Sequence, residues 1–148
     1  MALAGKATHI GVCVSDMARS RRFYEEVLGF RFVYELRVAG EPSDTLLRLK
    51  ETDLHAVYVE RDGFRLELLH YASPRSPEKA PARTMNDLGF THLSLQVPAL
   101  DAAIDELRAA GAEVLDDTLI EIGGRRVAVF ARDPDGLLVE LVAAPPSA

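Results

Sequence analysis

Apolar residues recur at alternate positions in Ile10, Val12 and Val14, with His9, Gly11 and Cys13 interleaved. The same alternation returns in Leu93, Leu95 and Val97 between His92, Ser94 and Gln96. A period of two puts these sets on opposite faces of a strand, one face apolar and the other mixed. A helical period follows each strand, predicting helices over Met17–Leu28 and Leu100–Ala110, the second with an apolar stripe of Leu100, Ala103, Ile104 and Leu107. Gly29 and Gly111 are expected to end them, because glycine adopts the left-handed cap without Cβ strain. Thereafter both halves read as strands only. The first offers Phe30–Val38, Thr45–Leu49, Leu54–Glu60 and Phe64–His70; the second offers Glu113–Leu115, Leu119–Ile122, Arg125–Arg132 and Leu137–Val142. Asp62-Gly63 and Asp135-Gly136 each precede a final strand and predict tight hairpins.

These parallels amount to a repeat. The opening histidines are followed by a glycine 20 and 19 residues later, and Glu67 and Glu140 each stand four residues after a turn glycine. The expected fold is α+β, with one strand–helix–strands module over residues 1–71 and a second over 89–148, joined by a linker at 72–88 into one compact domain. Proline, serine and charge without periodicity mark the linker.

Composition narrows the function classes. With 148 residues and 48% hydrophobic content the chain can bury a sizeable core. A net charge of -6 argues against general nucleic-acid or membrane-surface binding. Arg19, Arg21 and Arg22 are answered by Glu25 and Glu26 at helical spacing and read as a solvated face. No apolar run approaches the ~20 residues of a membrane span, and the opening MALAGKATHI lacks signal-peptide features, so the expected location is the cytoplasm. The single cysteine, Cys13, has no intramolecular disulfide partner and reads as a small strand residue.

Glu67 and Glu140 are charges inside apolar strands, and a carboxylate so placed needs a cation, a metal or donated hydrogen bonds. If the modules pair edge to edge about a pseudo-twofold axis, their mixed faces form a concave sheet on which His9, Glu67, His92 and Glu140 converge. Two neutral imidazoles and two carboxylates suit a divalent ion such as Zn, Ni, Co, Mn or Fe. Taken singly, each residue reads as an ordinary strand histidine, or as a glutamate paired with Arg65 or another arginine. Their occurrence as two matched pairs is what points to a metal. Ser94, Gln96 and Arg126 on the same face are candidates for orienting a substrate. His55 and Tyr58 have opposite parity, so only one can face this surface. His55 and His70 have no repeat partner and read as structural or exposed.

Thr8-His9-Ile10-Gly11-Val12, Arg22-Phe23-Tyr24-Glu25-Glu26-Val27-Leu28-Gly29-Phe30, Gly89-Phe90-Thr91-His92-Leu93 and Asp133-Pro134-Asp135-Gly136-Leu137-Leu138-Val139-Glu140-Leu141 resemble the vicinal oxygen chelate superfamily. That superfamily includes glyoxalase I, methylmalonyl-CoA epimerase, extradiol dioxygenases, and fosfomycin- and bleomycin-resistance proteins. The resemblance implies tandem βαβββ modules forming a concave mixed sheet, with metal ligands on the first and last strands of each. Ligand identities at His9, Glu67, His92 and Glu140 all match glyoxalase I. The extradiol and fosfomycin-resistance patterns use two histidines and one glutamate, epimerases commonly carry glutamine where Glu67 stands, and bleomycin-binding members usually lack the ligands. The implied activity is a metal-dependent lyase or isomerase reaction on a small molecule with vicinal oxygens, through a metal-stabilised enediolate. Glu140 or Glu67 would be the base, with Glu140 favoured. A homodimer is also implied. Alternatives are an acyl-CoA epimerase, an Fe(II) ring-cleaving dioxygenase and a non-catalytic binding or resistance protein. Arg37, Arg83 and Arg125 offer no convincing anchor for the carboxylates of a glutathione adduct.

Overall fold

The computed structural model describes residues 4–77 and 83–145. The chain divides into two compact units, Met1–Glu78 and Lys79–Ala148. In the first, four strands lie in the order β1 (Ile10–Cys13), β4 (Phe64–Ser73), β3 (Asp53–Arg61), β2 (Arg31–Ala39). In the second, the order is β5 (His92–Val97), β8 (Leu138–Ala143), β7 (Arg125–Arg132), β6 (Glu113–Ile122). In both sheets the opening strand runs parallel to the last, and the other pairs are antiparallel. A helix follows each opening strand: α1 (Met17–Arg21) with a π-helical turn (Arg22–Val27) in the first unit, and α3 (Leu100–Ala109) in the second. A short α2 (Ser43–Leu47) lies between β2 and β3. The α+β architecture of tandem βαβββ modules is therefore as the sequence pattern indicates.

Strand pairing separates the two sheet faces. In the first unit Val57 lies opposite Leu68, and Val59 opposite Leu66. These four side chains are buried, as are Phe23, Tyr24 and Leu28 around the helix end. In the second unit the register sets Val129 opposite Leu141 and Ala131 opposite Val139, all buried along with Leu100, Ile104 and Leu107 of α3. At about 1.5–3 kcal/mol per fully buried large aliphatic side chain, these layers dominate the stability of each unit.

Three local expectations change. The first helix begins as read, with Asp16 Oδ1 accepting from Arg19 N at 2.9 Å, but closes in a wider π turn with Leu28 N bonded to Phe23 O at 2.9 Å. Residues Thr45–Leu49, expected as a strand, instead fall largely in α2. The β2–β3 register runs out to Ala39 opposite Asp53, so the intervening segment is the connection of that hairpin and not a further strand of the sheet. Asp44 then ties the segment down, its carboxylate accepting from Glu51 N at 3.1 Å and Thr52 N at 2.8 Å. The two short strands expected between Glu113 and Ile122 are one bulged strand. Thr118 Oγ1 bridges the irregularity, donating to Leu115 O at 2.7 Å and accepting from Phe130 N at 2.9 Å.

The two Asp-Gly turns also differ. Asp62 (φ 53°) and Gly63 (φ 79°) both take the left-handed conformation and join Arg61 directly to Phe64 across a two-residue turn. Asp135-Gly136 instead sits in a longer connection organised by the buried Asp133, whose Oδ1 accepts from Asp135 N at 2.9 Å and Leu137 N at 2.7 Å. Of the linker read at 72–88, Ala72 and Ser73 extend β4, and residues 78–82 lie outside the described residues. Among the described residues no helix is long and apolar enough to cross a membrane.

Candidate functional site

The face of each sheet opposite the aliphatic layer carries one row of residues across the strands. In the first unit that row is Gly11, Glu67, Tyr58 and Tyr34, on β1, β4, β3 and β2. In the second unit the equivalent row is Ser94, Glu140, Phe130 and Leu115, on β5, β8, β7 and β6. The glutamates thus hold the same place in both units, one strand in from the edge. A histidine stands close to each.

In the first unit His9 Nδ1 lies 3.0 Å from Thr8 Oγ1, and Nε2 is 3.1 Å from Glu67 Oε2. The ring meets Tyr58 edge-on, with centroids 5.2 Å apart at 90°. Tyr58 Oη donates to the other carboxylate oxygen, Glu67 Oε1. Tyr34 stacks on Tyr58 with a centroid distance of 4.2 Å and an interplanar angle of 18°. Burial, reinforced by the bond to Glu67 and its charge, pushes the Tyr58 phenol well above the ordinary tyrosine value, so this hydroxyl stays a donor.

The second unit repeats the arrangement with substitutions. His92 Nδ1 lies 2.9 Å from Thr91 Oγ1, Nε2 is 3.5 Å from Glu140 Oε2, and the ring meets Phe130 edge-on at 5.5 Å and 85°. Phe130 has no hydroxyl. Ser94 supplies one from the opposite flank, its Oγ donating to Glu140 Oε2 at 2.8 Å. Among the described residues, Oε1 of Glu140 receives no hydrogen bond.

Each His–Glu pair is spaced as two donors to one divalent ion would be. Two donors each bound at roughly 2.0–2.2 Å in tetrahedral or octahedral geometry stand roughly 2.8–3.6 Å apart. The Nε2–Oε2 separations of 3.1 and 3.5 Å fall within that range before any ion is added. In both cases the threonine engages Nδ1 and leaves Nε2 facing the carboxylate, the usual way a ligating imidazole is oriented. Each unit provides two such donors. Within neither unit, among the described residues, do three or more His, Cys, Asp or Glu side chains gather as a metal cluster.

The remaining candidates are placed as follows. Ser94 touches Glu140, and Gln96 is exposed two residues further along β5. Arg126 is bonded to Asp101 in the first turn of α3, Nη1 to Oδ1 at 2.9 Å. Arg65 is held by Glu60 at 2.7 Å rather than by Glu67. His55 pairs with Glu35 at 2.8 Å, and this hydrogen bond holds the Glu35 carboxyl below its ordinary value. Arg83 donates to the carbonyls of Phe90, Asp87 and Leu88, and Arg125 to that of Ala144. Tyr58 is the site residue that parity alone left undecided. Counting back from the two-residue Asp62-Gly63 turn places it opposite Glu67.

Comparison with known proteins agrees with this architecture. The model of a family described as the Glyoxalase/Bleomycin resistance protein/Dioxygenase superfamily matches residues 6–141. The mitochondrial methylmalonyl-CoA epimerase of Bos taurus is 29% identical over 93% of this chain and 73% of its own. A protein of Vibrio parahaemolyticus described as a probable lactoylglutathione lyase is also 29% identical, over 93% of this chain and 90% of its own. Among solved structures, a glyoxalase family protein from Bacillus cereus superposes with a TM-score of 0.77 at 20% identity, covering 96% of this chain and 98% of that one.

Proposed function

The chain belongs to the glyoxalase/bleomycin resistance protein/dioxygenase superfamily, and from that premise we propose that it is a metal-dependent lyase or isomerase of glyoxalase I type. Its substrate would be a small molecule with neighbouring oxygens, and its reaction the movement of a proton at the carbon next to a carbonyl. The observation that carries this reading is the duplicated His–Glu pair, set at ligand spacing in equivalent rows of the two sheets. The proposed ligands are His9, Glu67, His92 and Glu140. A bound zinc, nickel, cobalt, manganese or iron ion would polarise the carbonyl and stabilise the charge of the enediolate.

The chain's own residues divide the remaining tasks. Thr8 and Thr91 orient the imidazoles. Glu67 has both oxygens engaged and serves as a fixed donor. Glu140 is the proposed base: its Oε1 carries no hydrogen bond among the described residues and is available to take the proton and return it at the adjacent carbon. Ser94 steadies the other oxygen of the same carboxylate. Gln96 and Arg126 remain proposed substrate contacts. We place the protein in the cytoplasm as a homodimer, a state supported by the exposed apolar side chains of Phe32, Tyr34 and Leu36 on β2.

A second reading, epimerisation of an acyl-CoA, is supported by the bovine relative, whose identity to this chain equals that of the Vibrio protein. The two share proton transfer and differ in substrate. Purified protein loaded in turn with Zn(II), Ni(II), Co(II), Mn(II) and Fe(II) should be assayed with the thiohemiacetal of methylglyoxal and glutathione, and with methylmalonyl-CoA in D2O. Turnover of the thiohemiacetal supports the first reading, and α-deuteration of the acyl-CoA alone supports the second. Neither reaction with any metal, or oxygen uptake with Fe(II), would overturn both.

A further inference from the structure

The two units match in strand order, in the helix that follows the opening strand and in His–Glu pairing, so a difference at one equivalent position stands out. Opposite Glu67 the row carries Tyr58; opposite Glu140 it carries Phe130. Both rings meet their histidine edge-on at nearly the same distance, 5.2 Å for Tyr58 and 5.5 Å for Phe130. Packing against the imidazole therefore requires the ring alone. The hydroxyl of Tyr58 is an addition, and it is directed at Glu67.

The flanks of the carboxylates are exchanged to match. Ser94 supplies the hydroxyl beside Glu140, whereas the equivalent neighbour of Glu67 is Gly11. A Cβ on Gly11 would meet Leu69 Cδ1 at 3.2 Å and Glu67 Oε2 at 3.9 Å, so that flank has little room for a donor side chain. The two arrangements have different consequences. Ser94 and His92 both approach Oε2 of Glu140. Tyr58 takes Oε1 of Glu67 while His9 faces Oε2, so both oxygens are fixed. Tyr58 is 7% exposed and sandwiched by the stacked Tyr34 ring, which restrains the phenol's own rotation.

We propose that Tyr58 is a positioning residue whose hydroxyl fixes the Glu67 carboxylate as a rigid metal donor, a restraint that the second unit withholds from Glu140. The proposal rests on the reading of Glu67 as a ligand. It makes the duplicated sheet functionally unequal: one carboxylate is held at both oxygens and its counterpart at one.

Tyr58→Phe tests this, because it removes one oxygen and installs the ring that the second unit already uses. Apo wild type and Y58F are compared by circular dichroism, by competition for Zn(II) against a chromogenic chelator, and by the visible d–d spectrum of the Co(II) forms. The expected result is an unchanged apo fold, a Zn(II) dissociation constant raised about 10–100-fold, the range for loss of an outer-shell partner, and a shifted Co(II) spectrum. A purely structural role for the hydroxyl would leave that spectrum in place. Y58F with Zn(II) affinity within about twofold of wild type, about 0.4 kcal/mol, and a superimposable Co(II) spectrum overturns the proposal alone. Failure of Y58F to fold also overturns it, since the ring is assigned the packing and the hydroxyl only Glu67. Wild type that takes up no metal overturns the ligand assignment and this proposal with it.

Discussion

Replacing Glu140 with glutamine separates the two tasks assigned to that residue. Glutamine keeps an oxygen able to ligate and to accept from Ser94 Oγ, now at 2.8 Å from Oε2, but it cannot accept a proton. If Oε1 of Glu140 is the base, E140Q loses the contribution of general-base catalysis, about 10²–10⁴ in rate. At about 1.36 kcal/mol per decade this is a barrier increase of about 2.7–5.4 kcal/mol. Glu67→Gln should cost less in turnover, about 10–100-fold, because Glu67 is held at both oxygens and is read as a donor only. The assay is single-turnover deuterium exchange into the preferred substrate by metal-loaded protein, with metal content measured on the same samples. E140Q that retains metal and exchanges within about tenfold of wild type would refute the base assignment. So would E67Q proving the slower of the two with its metal in place.

Three further outcomes are expected. Thr8→Val and Thr91→Val each remove the partner of a histidine Nδ1, at 3.0 and 2.9 Å, and should weaken Zn(II) binding about 10-fold in chelator competition; affinities equal to wild type would contradict the orienting role. Asp133→Ala leaves the half-buried amides of Asp135 and Leu137 without their acceptor and should cost about 1 kcal/mol in urea denaturation, whereas an unchanged midpoint would remove Asp133 as the organiser of that turn. His55→Gln should raise the Glu35 carboxyl toward its ordinary value, read by NMR titration, because the His55 hydrogen bond is the leading cause of its depression. The folded-state value is the lower one, so the pair's contribution is present above the ordinary glutamate range and is lost as pH falls through the folded value; a Glu35 midpoint unmoved by H55Q would contradict this.

The repeat was legible in the sequence because period and spacing are local properties. Alternation through Ile10, Val12 and Val14 assigned the buried face of β1, and the Asp62-Gly63 turn set the register that carries Glu67. Other features depended on side-chain substitution for backbone partners, which periodicity does not encode. Thr118 bridging a bulge made one strand resemble two, and Asp44 capping a loop turned Thr45–Leu49 from a strand pattern into α2. Asp133 likewise made Asp135-Gly136 part of a wider turn than its partner motif. At the site, the histidines and glutamates were found by repetition. Tyr58 was left undecided by parity against His55, and repetition did not single it out because its equivalent is Phe130: the pair matches in ring and differs in the one atom that matters to Glu67.

Every role proposed above depends on the two His–Glu pairs being the donors of a divalent metal. Elemental analysis of purified wild type, H9A and H92A, with folding verified by circular dichroism, addresses it most directly. Wild type should carry about one divalent ion per chain, and each variant, reduced to three of the four donors, should fall well below stoichiometry. Undiminished metal in both folded variants, or wild type that holds no divalent ion after reconstitution, would contradict the account.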